Sequence, residues 1–284
     1  MKLLVLLALV GLTTAAVYQH SLSWSQSKRS KLIKSGQWPA YLKYKEFLRT
    51  VKAHSKFSNL KSVGQKVNDY EDPIDGILGL AFTSLAEGNA IPPLINAVNQ
   101  GLLDKPLFTV YLQERGNQDN VPGGVYTYGA VDTQNCGDVI AYQKLSSATY
   151  FQFAMDQIGA GSYSSSQGWD VISDTGTSFI GGPQDVTDAL ANAVGATYDD
   201  EYGTYFVDCN VKFSGISITI GGKKYNIDSK QVLVDAGNGQ CEFAFFPFDF
   251  GGFGPAWILG DPWIRQYCNI YSFDKQIGFA PTKK

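Results

Sequence analysis

The sequence predicts a mostly β protein. Beyond residue 61, short apolar runs alternate with Gly, Asn, Asp and Ser. The 284 residues include 30 glycines, which supply turns, and 13% of them are aromatic, the residues that suit a pleated surface. Helical patterning is confined to three stretches. The length suggests one or two domains.

The chain opens Met-Lys-Leu-Leu-Val-Leu-Leu-Ala-Leu-Val-Gly-Leu-Thr-Thr-Ala-Ala. One positive charge, about ten apolar residues and then small residues read as a secretory signal peptide over residues 1–16, cut after Ala15 or Ala16. A membrane anchor would need about twenty apolar residues. No later segment is long and apolar enough to span, so no membrane attachment is expected after cleavage.

Residues 17–60 form a basic segment. It holds nine Lys or Arg (Lys28, Arg29, Lys31, Lys34, Lys43, Lys45, Arg49, Lys52, Lys56) against one acid, Glu46. Its one helical stretch, Lys28 to Leu48, carries Leu32, Ile33, Trp38, Tyr41, Leu42 and Phe47 as the apolar set, with Pro39 expected to interrupt it. Residues 61–284 hold thirteen basic and twenty-five acidic residues. A basic arm therefore precedes an acidic body. A solvated tail or a nucleic-acid arm would share this composition. An exported chain rarely meets nucleic acid, so no nucleic-acid partner is expected. The charge balance fits an arm that covers an acidic cleft in cis and loosens as carboxylates protonate.

Strands are expected at Leu107–Leu112, Val125–Ala130, Tyr150–Met155, Asp170–Asp174, Thr204–Asp208, Ser217–Ile220, Tyr225–Ile227, Ala256–Leu259 and Asn269–Phe273. Gly221-Gly222 reads as a hairpin turn. Two further helices are expected. One runs from Pro93 to Asn99, with Gly101 just past its end, and the other from Pro183 to Val194, with Gly195 in the C′ position. A short echo, Ile-Leu-Gly, occurs at 77–79 and again at 258–260.

Export puts the four cysteines, Cys136, Cys209, Cys241 and Cys268, in an oxidising compartment, where they read as two disulfides with three possible pairings. Zinc is the competing use. There is no Cys-x-x-Cys pair, and the only histidines are His20 and His54 near the N-terminus, so no metal site is expected. No Asn-x-Ser/Thr sequon occurs.

The chemistry points to Val171-Ile-Ser-Asp174-Thr-Gly-Thr177-Ser-Phe-Ile180. An apolar strand fixes Asp174. Gly176 lets backbone N–H groups approach the carboxylate. Thr177 can donate a hydroxyl to it, and Thr175 can bond across to a neighbouring loop. Such donors stabilise an anion. An Asx turn closing a strand would use the same residues. However, residues 61–284 contain no histidine, so Ser-His-Asp and Cys-His schemes lack a base. Glycine-rich phosphate loops are absent. Carboxylate chemistry remains.

Seven segments carry a resemblance to a known family: DGILGL (75–80), PPLINAVNQGLLDKPLFTVYL (92–112), PGGVYTYGAVD (122–132), TYFQF (149–153), ISDTGTSFIGGP (172–183), GFGPAWILGDPWIRQYCNIYSFD (252–274) and IGFA (277–280). Together they resemble the pepsin-like aspartic endopeptidases, nematode members above all. The likeness covers nearly everything after about residue 67. Residues 30–42 resemble the inhibitory propeptide of such zymogens. The resemblance implies a fold of two β lobes flanking a cleft, each giving one Asp-Thr-Gly loop with a hydrophobic-hydrophobic-Gly strand through its base. The Ile-Leu-Gly copies match those two strands. Asp174 matches the catalytic aspartate of the C-terminal lobe, Thr175 an inter-lobe hydrogen-bond grip, and Thr177 a brace for the carboxylate. Cys209–Cys241 matches the C-lobe disulfide, leaving Cys136–Cys268. The implied chemistry is cofactor-free general acid–base hydrolysis of a peptide or protein substrate at acid pH, by water activated between two carboxylates sharing a proton.

The second aspartate is absent. The sequence holds one Asp-Thr-Gly and no Asp-Ser-Gly. No match exists for the family's flap. The expected organisation is a signal peptide (1–16), a propeptide-like basic segment (17–60), a remnant of the N-terminal lobe with the inter-lobe linker (61–122), and a complete C-terminal catalytic lobe (123–284). On the order of a hundred residues, most of one lobe, are missing between the second and third. Losing one acid–base partner typically costs roughly 10²–10⁴-fold in rate. An uncovered inter-lobe face favours self-association. Three readings follow: a shortened gene model or splice form of a working secreted or lysosomal endopeptidase, an inactive lobe that binds peptides or a protein partner, or a pair of chains contributing one Asp174 each.

Overall fold

The computed structural model describes residues 16–55, 77–252 and 254–283. The leader through Ala15, Lys56 and the 57–70 junction lie outside the described residues. The fold is mostly β, as the glycine and aromatic content predicts; among the described residues the strands gather into four sheets with five α-helices around them.

The helices are α1 (Lys28–Lys34), α2 (Trp38–Ser55), α3 (Pro93–Asn99), α4 (Gln184–Val194) and α5 (Asp261–Gln266). The single stretch expected at Lys28–Leu48 is in fact two helices, and Pro39 is not what divides them. The break is at Gly36, whose φ of 71° closes the end of α1 through its N–H to Ile33 O (2.9 Å), with Gln37 N–H to Leu32 O (2.8 Å). Pro39 sits in the first turn of α2, where a missing N–H costs nothing. The helix at Pro93–Asn99 has the expected bounds. The second begins one residue after Pro183 and ends on Gly195 in the left-handed region, φ 80°.

One six-stranded sheet runs Tyr18–Trp24, Val121–Tyr128, Leu107–Leu112, Tyr267–Ser272, Gln276–Pro281, Ala141–Lys144. Its first strand, from the basic segment, pairs antiparallel with Val121–Tyr128. The sequence reading missed it because Tyr-Gln-His-Ser-Leu-Ser-Trp is an edge strand, mostly exposed, with little apolar alternation to detect. The second six-stranded sheet runs Phe245–Pro247, Ile180–Gly182, Trp257–Leu259, Trp169–Ser173, Phe151–Met155, Ser147–Ala148. Two four-stranded sheets complete the body. One is Thr197–Asp199, Thr204–Asp208, Gln240–Phe243, Leu233–Gly237, and the other is Lys223–Ile227, Ile216–Ile220, Gln157–Ala160, Tyr163–Ser165. In the latter, Gly221 and Gly222 both have positive φ (56° and 72°), the geometry of a type I′ hairpin.

The core forms where inward faces meet. Phe153, Tyr205, Tyr225, Phe243, Trp257 and Trp263 are fully buried, each worth about 1.5–3 kcal/mol or more relative to exposure. Helix α4 covers this core with Val186, Leu190 and Val194. Disulfides join Cys136 to Cys268 and Cys209 to Cys241.

The two Ile-Leu-Gly copies part company. Residues 257–259 form the expected strand. Residues 77–79 form none: Ile77 is 94% and Leu78 57% exposed. Among the described residues there is no second Asp-Thr-Gly loop for that segment to pass beneath. The basic arm meets acids as expected, with Arg29 on Glu242, Lys34 on Asp235, Lys31 on Asp119 and Lys43 on Glu201. These contacts lie along the Leu233–Phe243 sheet and neighbouring loops. Among the described side chains of residues 16–47, none lines the hollow at Asp174.

Candidate active site

Strand Trp169–Ser173 delivers Asp174. Val171 and Ile172 are buried, and the strand lies between Trp257–Leu259, parallel to it, and Phe151–Met155, antiparallel. Such a two-sided apolar strand cannot slip register without burying polar groups. Asp174 N–H continues the ladder to Leu259 O (3.1 Å). The chain then turns. Gly176 N–H donates to Asp174 Oδ1 (2.9 Å), and the Thr177 hydroxyl donates to Oδ2 (2.6 Å). Each carboxylate oxygen is thus held by one donor and keeps lone pairs for another partner.

The strand beneath the loop is fixed by contact. Gly260 follows Trp257–Leu259, and a Cβ there would lie 2.1 Å from Thr177 O and 2.2 Å from Phe179 O. Only glycine fits. Asp261 N–H donates to Thr177 O (2.9 Å), stitching the two segments together.

A buried polar network supports the loop from below. Ser173 Oγ donates to Asn269 Oδ1 (2.8 Å) and shares a hydrogen bond with the Tyr271 hydroxyl (2.8 Å). Trp263 Nε1 also donates to Asn269 Oδ1 (3.1 Å). Sequence reasoning missed these residues. Their only signal is that Ser173 precedes Asp174 and that Asn269 and Tyr271 fall in the family-like QYCNIYSFD stretch.

Thr175 lies near Tyr126 of strand Val121–Tyr128, and burial pushes the Tyr126 hydroxyl up to about 12 while Thr175 opposes the rise. Asp261 is a second carboxylate whose charge is felt by Asp174's surroundings. Burial raises it to about 6, Asp174 and Glu114 adding to the rise while Arg265 opposes it. Arg265 is buried, with Nε 3.3 Å from Glu114 Oε2 and bonds to Gln231.

Asp174 opens on a hollow of about 270 Å³ lined by Ile77, Leu80, Tyr150, Phe151, Ile172 and Tyr271. It is apolar-walled around one anion, a setting that strengthens electrostatic interactions. A wider hollow of about 580 Å³ between α2 and Asp200–Glu201 includes no residue of the Asp174 loop. Among the described residues, no group of three or more His, Cys, Asp or Glu is placed to hold a metal.

The chain as a whole is similar to known proteins. A family model described as eukaryotic aspartyl protease matches residues 51–282. The chain is 43% identical to aspartic protease 6 of Caenorhabditis elegans over 99% of both chains. It is 44% identical to aspartic protease 2 of Necator americanus, over 74% of this chain and 49% of that one. It is 33% identical to cathepsin E of Aquarana catesbeiana, over 78% of this chain and 57% of that one. Against the last two, the chain spans about half the length of the relative. The first alignment runs 386 positions against 284 residues, so at least 102 of its positions meet no residue of this chain.

Proposed function

This chain belongs to the eukaryotic aspartyl protease family, and on that premise we propose that Asp174 is one of two carboxylates that hydrolyse peptide bonds in an acid-active endopeptidase. The observation that carries the reading is the braced carboxylate, Oδ1 on Gly176 N–H and Oδ2 on the Thr177 hydroxyl, facing an apolar hollow. So held, Asp174 can take a proton from water while a second carboxyl donates to the peptide oxygen and stabilises the tetrahedral intermediate. Thr175, Gly176 and Thr177 position the base. In this reading the second carboxyl comes from the first lobe, most of which this sequence lacks.

The domain reading follows: residues 1–16 a leader, 17–60 a removable arm, 61–122 the remnant of the first lobe with its linker, and 123–284 the second lobe. The 122/123 boundary would cut strand Val121–Tyr128, so these lobes share a sheet. Substrates are peptides or proteins. The compartment is secretory or lysosomal, and among the described residues no helix is long and apolar enough to cross a membrane.

A second reading rests on the single Asp-Thr-Gly of the sequence: a lobe that binds peptides without cutting them, or self-associates through its open face. One experiment separates them. The transcript is sequenced across codons 57–70, and the encoded protein is assayed for acid peptidase activity beside Asp174→Asn. An in-frame segment with a second Asp-Thr-Gly or Asp-Ser-Gly, and activity lost roughly 10²–10⁴-fold in the variant, supports hydrolysis. A direct junction and no Asp174-dependent activity overturns it in favour of binding. Activity rising with the square of chain concentration identifies a two-chain site.

A further inference from the structure

Glu242 is a buried carboxylate that peptide hydrolysis does not use. Its side chain is 1% exposed, on strand Gln240–Phe243. Arg29 Nε (3.0 Å) and Nη2 (2.6 Å) both donate to its Oε1. The Arg29 guanidinium also lies over two rings, 4.8 Å from the Phe179 centroid and 5.2 Å from that of Trp38. Arg29 and Trp38 come from the basic arm, whereas Glu242 and Phe179 come from the body.

The body therefore carries the receiving half of this contact: a carboxylate that is closed off from water with Arg29 in place, and an aromatic face. A buried carboxylate stripped of its partner is costly. A guanidinium suits the vacancy better than an ammonium does, because it donates two N–H groups in one plane and stacks on a ring. We propose that Glu242 and Phe179 form a guanidinium-binding site, filled in cis by Arg29, which takes an arginine side chain of a peptide in trans when the arm is displaced. Phe179 follows Thr177 by two residues, so the site is continuous with the loop that carries Asp174. The inference rests on the proposed reading only in treating the arm as separable from the body.

The test uses the full chain with Arg29→Ala and needs no proteolysis. Its thermal midpoint is measured with N-acetylarginine amide and with N-acetyllysine amide at equal concentration. The variant is expected to melt below the parent chain, and the arginine probe to restore part of the loss while the lysine probe does not. Adding Glu242→Gln to the variant is expected to abolish that difference. An equal response to the two probes, or an arginine-selective response that survives Glu242→Gln, overturns the site. If Arg29→Ala does not fold alone, refolding yield in the presence of each probe replaces the midpoint and is judged the same way. A failed peptidase assay leaves this result untouched, and a failed rescue leaves the peptidase reading untouched.

Discussion

Asp174 and Gly260 show how few atoms fix the site. The carboxylate is bonded by donors two and three residues downstream, Gly176 and Thr177, a short-range arrangement that Asp-Thr-Gly-Thr announces in the sequence. Its supports are not announced. Ser173 meets Asn269 and Tyr271 across 96 and 98 residues, pairings that only the folded sheets bring about. Gly260 yields a sharp prediction. Gly260→Ala places a methyl about 2 Å from two backbone oxygens, Thr177 O and Phe179 O, which cannot step aside without moving the Asp174 loop. The expected cost is on the order of 3 kcal/mol, the upper part of the overpacking range, read as a fall in denaturation midpoint. Gly176→Ala is the control. Its Cβ would meet only Asp174 Oδ1, at 3.3 Å, so a much smaller loss is expected. Equal losses from the two substitutions would refute the close-packing account.

At the scale of elements, the longer apolar strands were legible, while exposed edge strands and short buried ones such as Ile180–Gly182 and Gln240–Phe243 were not. Leu107–Leu112 and Thr204–Asp208 fall where the apolar pattern puts them. Tyr18–Trp24 and Ala141–Lys144, edge strands with half their residues or more in water, left no such pattern. The arm's helical character was legible but its hinge was not, because Pro39 looks like a breaker until its place in the first turn is known. How the arm is held makes a prediction with an asymmetry. Arg29 is 31% exposed and Glu242 1%. Removing the arginine strands a buried charge, whereas neutralising the glutamate leaves a cation that can turn to water. Arg29→Ala should therefore cost about 3 kcal/mol in urea unfolding, and Glu242→Gln clearly less. The opposite ranking would mean that the arm is held by its helices' apolar contacts and not by this pair. Lys43–Glu201, at 4.0 Å with both groups largely exposed, should contribute almost nothing.

For the whole molecule, two carboxylates set opposite limits on stability against pH. Asp261 is raised to about 6 from 3.8, mainly by burial. The folded state thus keeps a proton that the unfolded chain has released, and stability from this group is present below about pH 4 and lost as pH rises through 6. Asp235 is lowered to about 2 by hydrogen bonds from Asn117 and Lys34 and by Gly237 N–H. Its contribution is present above pH 4 and lost as pH falls through 2. Asp119, which meets Lys31, is lowered too, first by its bond from Gln26 N–H. The charge balance of the sequence leads to the expectation of an arm loosened by acid, but says nothing of how far the acid must go. Hydrogen bonds made only in the fold hold two of the arm's acid partners, Asp235 and Asp119, below the ordinary carboxylate range. Thermal midpoints across pH 2–7 should therefore peak near pH 4 and fall on both sides of it. Asp261→Asn should flatten the decline from pH 4 to 7 and leave the acid limb alone, and Asp235→Asn should weaken the acid limb and leave the neutral one alone. If Asp261→Asn leaves the decline above pH 4 unchanged, the carboxyl beneath the Asp174 loop is not the group that tunes the molecule to acid, and burial there has been misjudged.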